Sequence, residues 1–133
     1  MIIPYLSFQG NCEEAVKLYI AAFGGQIDYL SRYTVETGGE AMCGKVMHME
    51  LTLSGTHMAC ADSIEPVAKQ DAIKLMVHYD TAAEANRAFE LLAKGGVPIQ
   101  RLTPHPPPDD GGMGALVKDP FGYTWILTAP NDQ

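Results

Sequence analysis

One short plan occurs twice in these 133 residues. The segment Ile2–Phe8 reads as a strand and runs into a helix that opens Asn11-Cys12-Glu13-Glu14-Ala15 and carries Tyr19. About seventy positions on, Ile73–Tyr79 runs into a helix that opens Thr81-Ala82-Ala83-Glu84-Ala85 and carries Phe89. Glu14, Ala15 and Tyr19 thus match Glu84, Ala85 and Phe89 at a single offset. Gly24-Gly25 and Gly95-Gly96 close the two helices, the second pair one residue late. Each helix is followed by three more strand-like segments. A duplicated strand-helix-strand-strand-strand unit tends to build a cleft between its copies, and such clefts are where small ligands bind.

The local chemistry supports these elements. Asn11 is a natural N-cap with Glu14 three residues on, a capping-box arrangement that Thr81 and Glu84 repeat. Ala15, Val16, Leu18, Tyr19, Ala22 and Phe23 recur at helical spacing, as do Ala85, Ala88, Phe89, Leu91 and Leu92. Gln26–Thr34 reads as a strand, followed by a loop around Gly38-Gly39. Lys45–Leu53 and His57–Asp62 read as a hairpin turned by Ser54-Gly55. In the second half Pro98–Leu102 is a short strand, and Met113–Lys118 with Tyr123–Thr128 forms a closing hairpin around Asp119-Pro120-Phe121-Gly122. Thr103–Gly112, with four prolines and two glycines, reads as irregular: a lid over a pocket or a plain surface loop. The predicted modules are residues 1–65 and 71–130, together one structural domain.

A net charge of −7 and the absence of any basic stripe argue against a nucleic-acid partner. No charged leader with a long apolar run opens the chain, so no signal peptide is expected, and no segment has the length of a membrane span. Cys12, Cys43 and Cys60 are odd in number and lack CxxC spacing, and read as reduced thiols of a cytoplasmic protein.

Alternation sorts the strand residues into faces. Met47, Met49, Leu51 and Leu53 are expected under a helix, with Val46, His48, Glu50 and Thr52 opposite. Ile73, Leu75, Val77 and Tyr79 form the next core set, leaving Lys74, Met76 and His78 outside. Trp125 and Leu127 read as core, opposed by Thr124, Ile126 and Thr128. Phe8 falls on the face of Pro4 and Leu6, taken as the cleft side. The ligand-binding candidates are therefore His48, Glu50, Lys74, His78, Phe8 and Leu6. Three readings of the polar set stay open: a cluster that orients a ligand, a structural His–Glu pair with Lys74 at the pocket mouth, or a metal site from His48, Glu50 and His78. His57, His105 and Asp109-Asp110 read as solvated.

The stretches from Pro4 to Ala15, Phe23-Gly24-Gly25, Lys45–Leu51 and Asp119–Trp125 resemble the vicinal oxygen chelate superfamily, the glyoxalase and bleomycin-resistance fold. The match is closest to its PhnB-like branch, whose members are often labelled demethylubiquinone methyltransferase-like. The resemblance implies an α+β fold of two tandem βαβββ modules, with mixed, mainly antiparallel curved sheets around a cleft and helices outside. It also implies a homodimer. Metal-dependent members place a His on the first strand, a His or similar on the first strand of the second module, and a Glu on the last strand. Those positions carry Pro4, Lys74 and Ile126, so no metal and no other cofactor is expected. No Gly-rich loop after a strand suits a nucleotide-like cofactor. The resemblance implies a metal-independent binder of a small, partly apolar molecule. The alternative is a divalent-metal-dependent lyase, isomerase or dioxygenase using a non-standard site.

Overall fold

The computed structural model describes residues 1–106 and 111–131. Residues 107–110, including the Asp109-Asp110 pair and part of the Pro-rich stretch, lie outside that description. The chain divides into two units, Met1–Ala68 and Lys69–Gln133. The fold is α+β, with a four-stranded mixed sheet in each unit.

In the first unit β1 (Tyr5–Phe8) leads into α1 (Cys12–Phe23), then β2 (Gly25–Arg32), a single-turn α2 (Val35–Gly38), β3 (Val46–Leu53) and β4 (Thr56–Asp62). The sheet order is β1-β4-β3-β2, with β1 parallel to β4 and the other pairings antiparallel. The second unit repeats it: β5 (Leu75–His78), α3 (Ala82–Ala93), β6 (Val97–Pro104), β7 (Gly112–Lys118) and β8 (Thr124–Pro130), in the order β5-β8-β7-β6. Tyr19 of α1 and Phe89 of α3, matched by the offset, are each 1% exposed and anchor their helix to its sheet. Tyr19 packs on Phe8 and Phe23, with ring centroids 6.3 and 5.9 Å away.

The Gly pairs divide their labour. Gly24 and Gly95 adopt φ of +76° and +79°, which L side chains resist. Their followers supply space: a Cβ on Gly25 would sit 1.9 Å from the Thr52 carbonyl oxygen, and one on Gly96 would sit 2.2 Å from that of Lys118. Ser54 and Gly55, at φ of +50° and +78°, form the tight turn of the β3–β4 hairpin.

Two buried carboxyl groups organise backbone. Asp62, 1% exposed, accepts from the N–H of Gly10 (2.8 Å) and Cys12 (3.0 Å) on Oδ1, and from Val46 (3.0 Å) on Oδ2. The parallel pairing Phe8↔Asp62 brings this carboxyl to the first turn of α1, where the helix dipole favours it. Asn11 consequently makes no side-chain cap bond, and the expected capping box at Glu14 is replaced. Thr81 does cap α3, its hydroxyl accepting from Glu84 N–H at 3.2 Å. In the second unit Asp119 accepts from Phe121 and Tyr123 N–H on Oδ1 and from Trp125 Nε1 on Oδ2 at 2.8 Å, fixing the Asp119–Gly122 turn.

Several expectations are corrected. Met47 is exposed while Val46 is buried, because Arg32 pairs with Val46 and Ser31 with His48. Met47 is the extra residue of a β-bulge, which shifts the alternation by one at that point. Ile73 is 72% exposed: pairing of β5 with β8 starts only at Leu75, and Gln70 takes the Ile73 backbone groups instead. The loop expected around Gly38 contains α2, capped by Thr34 through its bond to Thr37 N–H. Thr103 and Pro104 end β6 and Gly112 begins β7, the pairs Thr103↔Gly114 and Pro104↔Met113 extending the ladder into the Pro-rich stretch.

Candidate functional site

Each sheet has one face under its helix and one open face. On the first open face the register aligns Tyr5, Ala59, Glu50 and Tyr29 in one row across all four strands. One row on, Ser7 lies beside Ala61 and Ser31 beside His48; on the other side His57 lies beside Thr52. Ala59 and Ala61 form a low floor between larger side chains.

A continuous hydrogen-bonded chain crosses this floor. Tyr5 Oη lies 3.3 Å from His48 Nδ1, His48 Nε2 lies 3.3 Å from Glu50 Oε2, and His57 Nε2 lies 2.9 Å from Glu50 Oε1. A His48 that accepts from the Tyr5 hydroxyl on Nδ1 donates to Glu50 through Nε2. The Tyr5 and Tyr29 rings flank the His48 ring at 5.8 and 6.2 Å. Burial raises the Tyr5 pKa above its ordinary value, so its hydroxyl stays protonated and remains a donor at neutral pH. The His48, Glu50 and His57 side chains keep 35–40% of their surface exposed, so they are accessible from solvent. Chemically, the arrangement offers donors, a carboxylate acceptor and aromatic walls, and a path for a proton between Tyr5 and Glu50.

The candidates divide accordingly. His48 and Glu50 meet in the first unit, joined by His57, which is not merely solvated. Phe8 and Leu6 are on the other face: Phe8 is 3% exposed, and both line an apolar space with Val16 and Tyr19 beneath α1. The cleft-side assignment of these two residues is therefore corrected, since alternation along β1 turns Tyr5 and Ser7 outward when Phe8 turns inward. Tyr5 and Tyr29 share this face although neither was among the expected candidates; alternation from a buried Phe8 points to Tyr5. Tyr29 carries no such signal, because β2 has its own register shift between Ile27 and Tyr29.

Lys74 and His78 belong to the second unit. His78 Nδ1 lies 3.0 Å from Thr128 Oγ1. Lys74 Nζ donates to the Asp71 carbonyl oxygen at 2.5 Å, and Lys118 and Thr124 bond the Asp71 carboxyl at 3.1 and 3.0 Å. Lys118, then Thr124, hold that carboxyl below its usual range. A hollow of about 290 Å³ opens beside these groups, walled by Val97 and Ile99. A second hollow of about 290 Å³ on this unit is lined by Gln100, Thr103, His105, Leu116 and Ile126. His105 is not merely solvated either: it lies against Gly112 and Gly114, its N–H donating to the Gly112 carbonyl at 3.0 Å.

The donor set does not fit the superfamily's usual metal. Pro4 and Ile126 have no donor side chain, and the Lys74 ammonium is engaged with Asp71. Among the described residues no three His, Cys, Asp or Glu side chains are grouped so as to hold an ion. Among them, too, no helix is long and apolar enough to cross a membrane.

A family model described as 3-demethylubiquinone-9 3-methyltransferase matches residues 1–128. The chain belongs to this family. It is the PhnB-like branch of the vicinal oxygen chelate superfamily. A putative 3-demethylubiquinone-9 3-methyltransferase, PhnB protein, from Bacillus cereus is 30% identical, with a TM-score of 0.84 over 96% of this chain and 98% of that one. Protein PA1353 from Pseudomonas aeruginosa is 26% identical, with a TM-score of 0.75 over 98% and 97%. The fosfomycin resistance protein FosX from Listeria monocytogenes, solved with Mn(II) and sulfate, shares the fold at 10% identity, with a TM-score of 0.67 over 99% and 93%. No curated protein matches the chain.

Proposed function

We propose that this PhnB-like protein binds a small, partly apolar molecule without a resident metal, on the open face that carries Tyr5, Tyr29, His48, Glu50 and His57. The observation that carries this reading is the hydrogen-bonded chain from Tyr5 through His48 and Glu50 to His57, set over alanines and between two tyrosine rings. Polar groups of this kind, spent on each other yet open to solvent, can exchange partners with a ligand at little desolvation cost. Lys74 and His78 are proposed as contacts of the second unit's own face, where Lys74 lines the hollow walled by Val97 and Ile99. The working form is a homodimer, as the family resemblance implies, and the ligand is met in the cytoplasm.

The test is a thermal-shift screen of small aromatic and amphiphilic compounds, with hits measured by calorimetry. Tyr5→Phe, His48→Ala and Glu50→Gln should each weaken a true ligand at least about tenfold, the loss of one to two hydrogen bonds. Hits indifferent to all three variants would refute the site. Elemental analysis addresses the rival enzyme reading. One tightly held divalent metal per chain, lost in His48→Ala, would establish a non-standard metal centre in place of metal-independent binding.

A further inference from the structure

We propose that Cys12 and Cys60 are a site of reversible oxidation, closing to a disulfide when a small hydroperoxide reaches them. Their sulfur atoms lie 3.3 Å apart, with Cys12 Sγ–H donating to Cys60 Sγ. Both are buried, at 0% and 2% exposure, whereas Cys43 is exposed. Cys12 is the first residue of α1 and Cys60 lies in β4 opposite Met49 and Leu6, so the contact bridges helix and sheet within one unit. Nothing polar separates the sulfurs.

The hydrogen bond to Cys60, then burial, pushes the Cys12 thiol pKa up. Cys60, whose sulfur accepts the Cys12 Sγ–H and so has its lone pairs free of a donated proton, is the sulfur assigned to start the reaction. As its thiolate it attacks one oxygen of the peroxide; the O–O bond breaks, and the departing hydroxide takes up a proton as water. Cys12 sulfur then attacks the Cys60 sulfenic acid. The S–S bond forms, the S–O bond breaks, and the Cys12 proton leaves with the hydroxide as a second water. Two thiols are oxidised and one hydrogen peroxide is reduced to two waters. Burial makes the first step slow and bars bulky disulfides, while the adjacent second thiol makes ring closure fast relative to over-oxidation.

The product would tie the start of α1 to β4 beside Asp62, which already holds Cys12 and Val46 by their N–H groups. The test uses the full chain, reduced and then exposed to hydrogen peroxide, unfolded in an alkylating reagent and mapped by mass spectrometry. The expected result is a Cys12–Cys60 cross-linked peptide, with two hydrogens lost per chain and both recovered on reduction. Cys43→Ser, at an exposed position, should give the same cross-link. Alkylation of both Cys12 and Cys60 after treatment, their recovery as sulfinic acids, or linkage of either to Cys43 would each overturn the proposal.

Discussion

Asp62→Ala should be among the most damaging single substitutions in the first unit. The carboxyl accepts three backbone N–H groups, from Gly10, Cys12 and Val46, at 2.8 to 3.0 Å, and is 1% exposed. Hydrogen bonds to a charged group are each worth about 1.5–3 kcal/mol, and a buried N–H left without a partner costs about 1–3 kcal/mol. Three such bonds give about 4.5–9 kcal/mol gross. Relief of the cost of burying the carboxyl and entry of water into the vacated space return part of this, so the net loss should be about 3–5 kcal/mol. Asp62→Asn separates the contributions. Its carboxamide keeps one acceptor oxygen but turns an NH₂ group toward one side of the node, so the loss should be about half as large. Urea unfolding followed by circular dichroism measures both through a change in midpoint at constant slope. An Asp62→Ala protein within about 0.5 kcal/mol of the parent would refute the role assigned to this carboxyl.

Two further outcomes follow from the same packing. Trp125 is 2% exposed with Nε1 on Asp119, so Trp125→Ala should cost about 3–5 kcal/mol in urea unfolding through lost burial and a cavity; a loss under about 1 kcal/mol would contradict the structural assignment. Glu13, held low by Arg32, and Asp71, held low by Lys118, have folded pKa values below their unfolded ones. The stability they add is whole above the ordinary carboxylate range and is lost as pH falls through the lowered values, so the urea midpoint should drop below about pH 4, and less steeply in Asp71→Asn.

The fold was legible wherever one residue type answers one local demand. Tyr19 and Phe89 at the same helical position, the Gly pairs, Ser54-Gly55 and Asp119-Pro120-Phe121-Gly122 each specify local geometry and sit as expected. Of the candidate site, only the proximity of His48 and Glu50 was legible, through alternation along β3. What escaped was set by register between strands. The Met47 bulge exists because β2 and β3 differ by one residue there, which neither strand declares alone. Tyr29 lies beyond a second such shift. The Asp62 node likewise joins residues 50 positions apart through parallel pairing, and nothing near Asn11 announces that its capping role has been taken over.

The two buried carboxyl groups sit at opposite ends of corresponding strands: Asp62 closes β4, whereas Asp119 precedes β8. On β8 the buried-face residue at the end answering to Asp62 is Ala129, 1% exposed, which has no carboxyl, while its neighbour Thr128 bonds His78 on the open face. The halves therefore share a plan but have ceased to be spare parts for each other. A recombinant carrying β8 in place of β4 would keep the strand order and abandon three N–H groups. One carrying β4 in place of β8 would import a buried acid among helix residues already capped by Thr81. Substitutions at open-face positions such as Tyr29 or His57, by contrast, touch neither carboxyl.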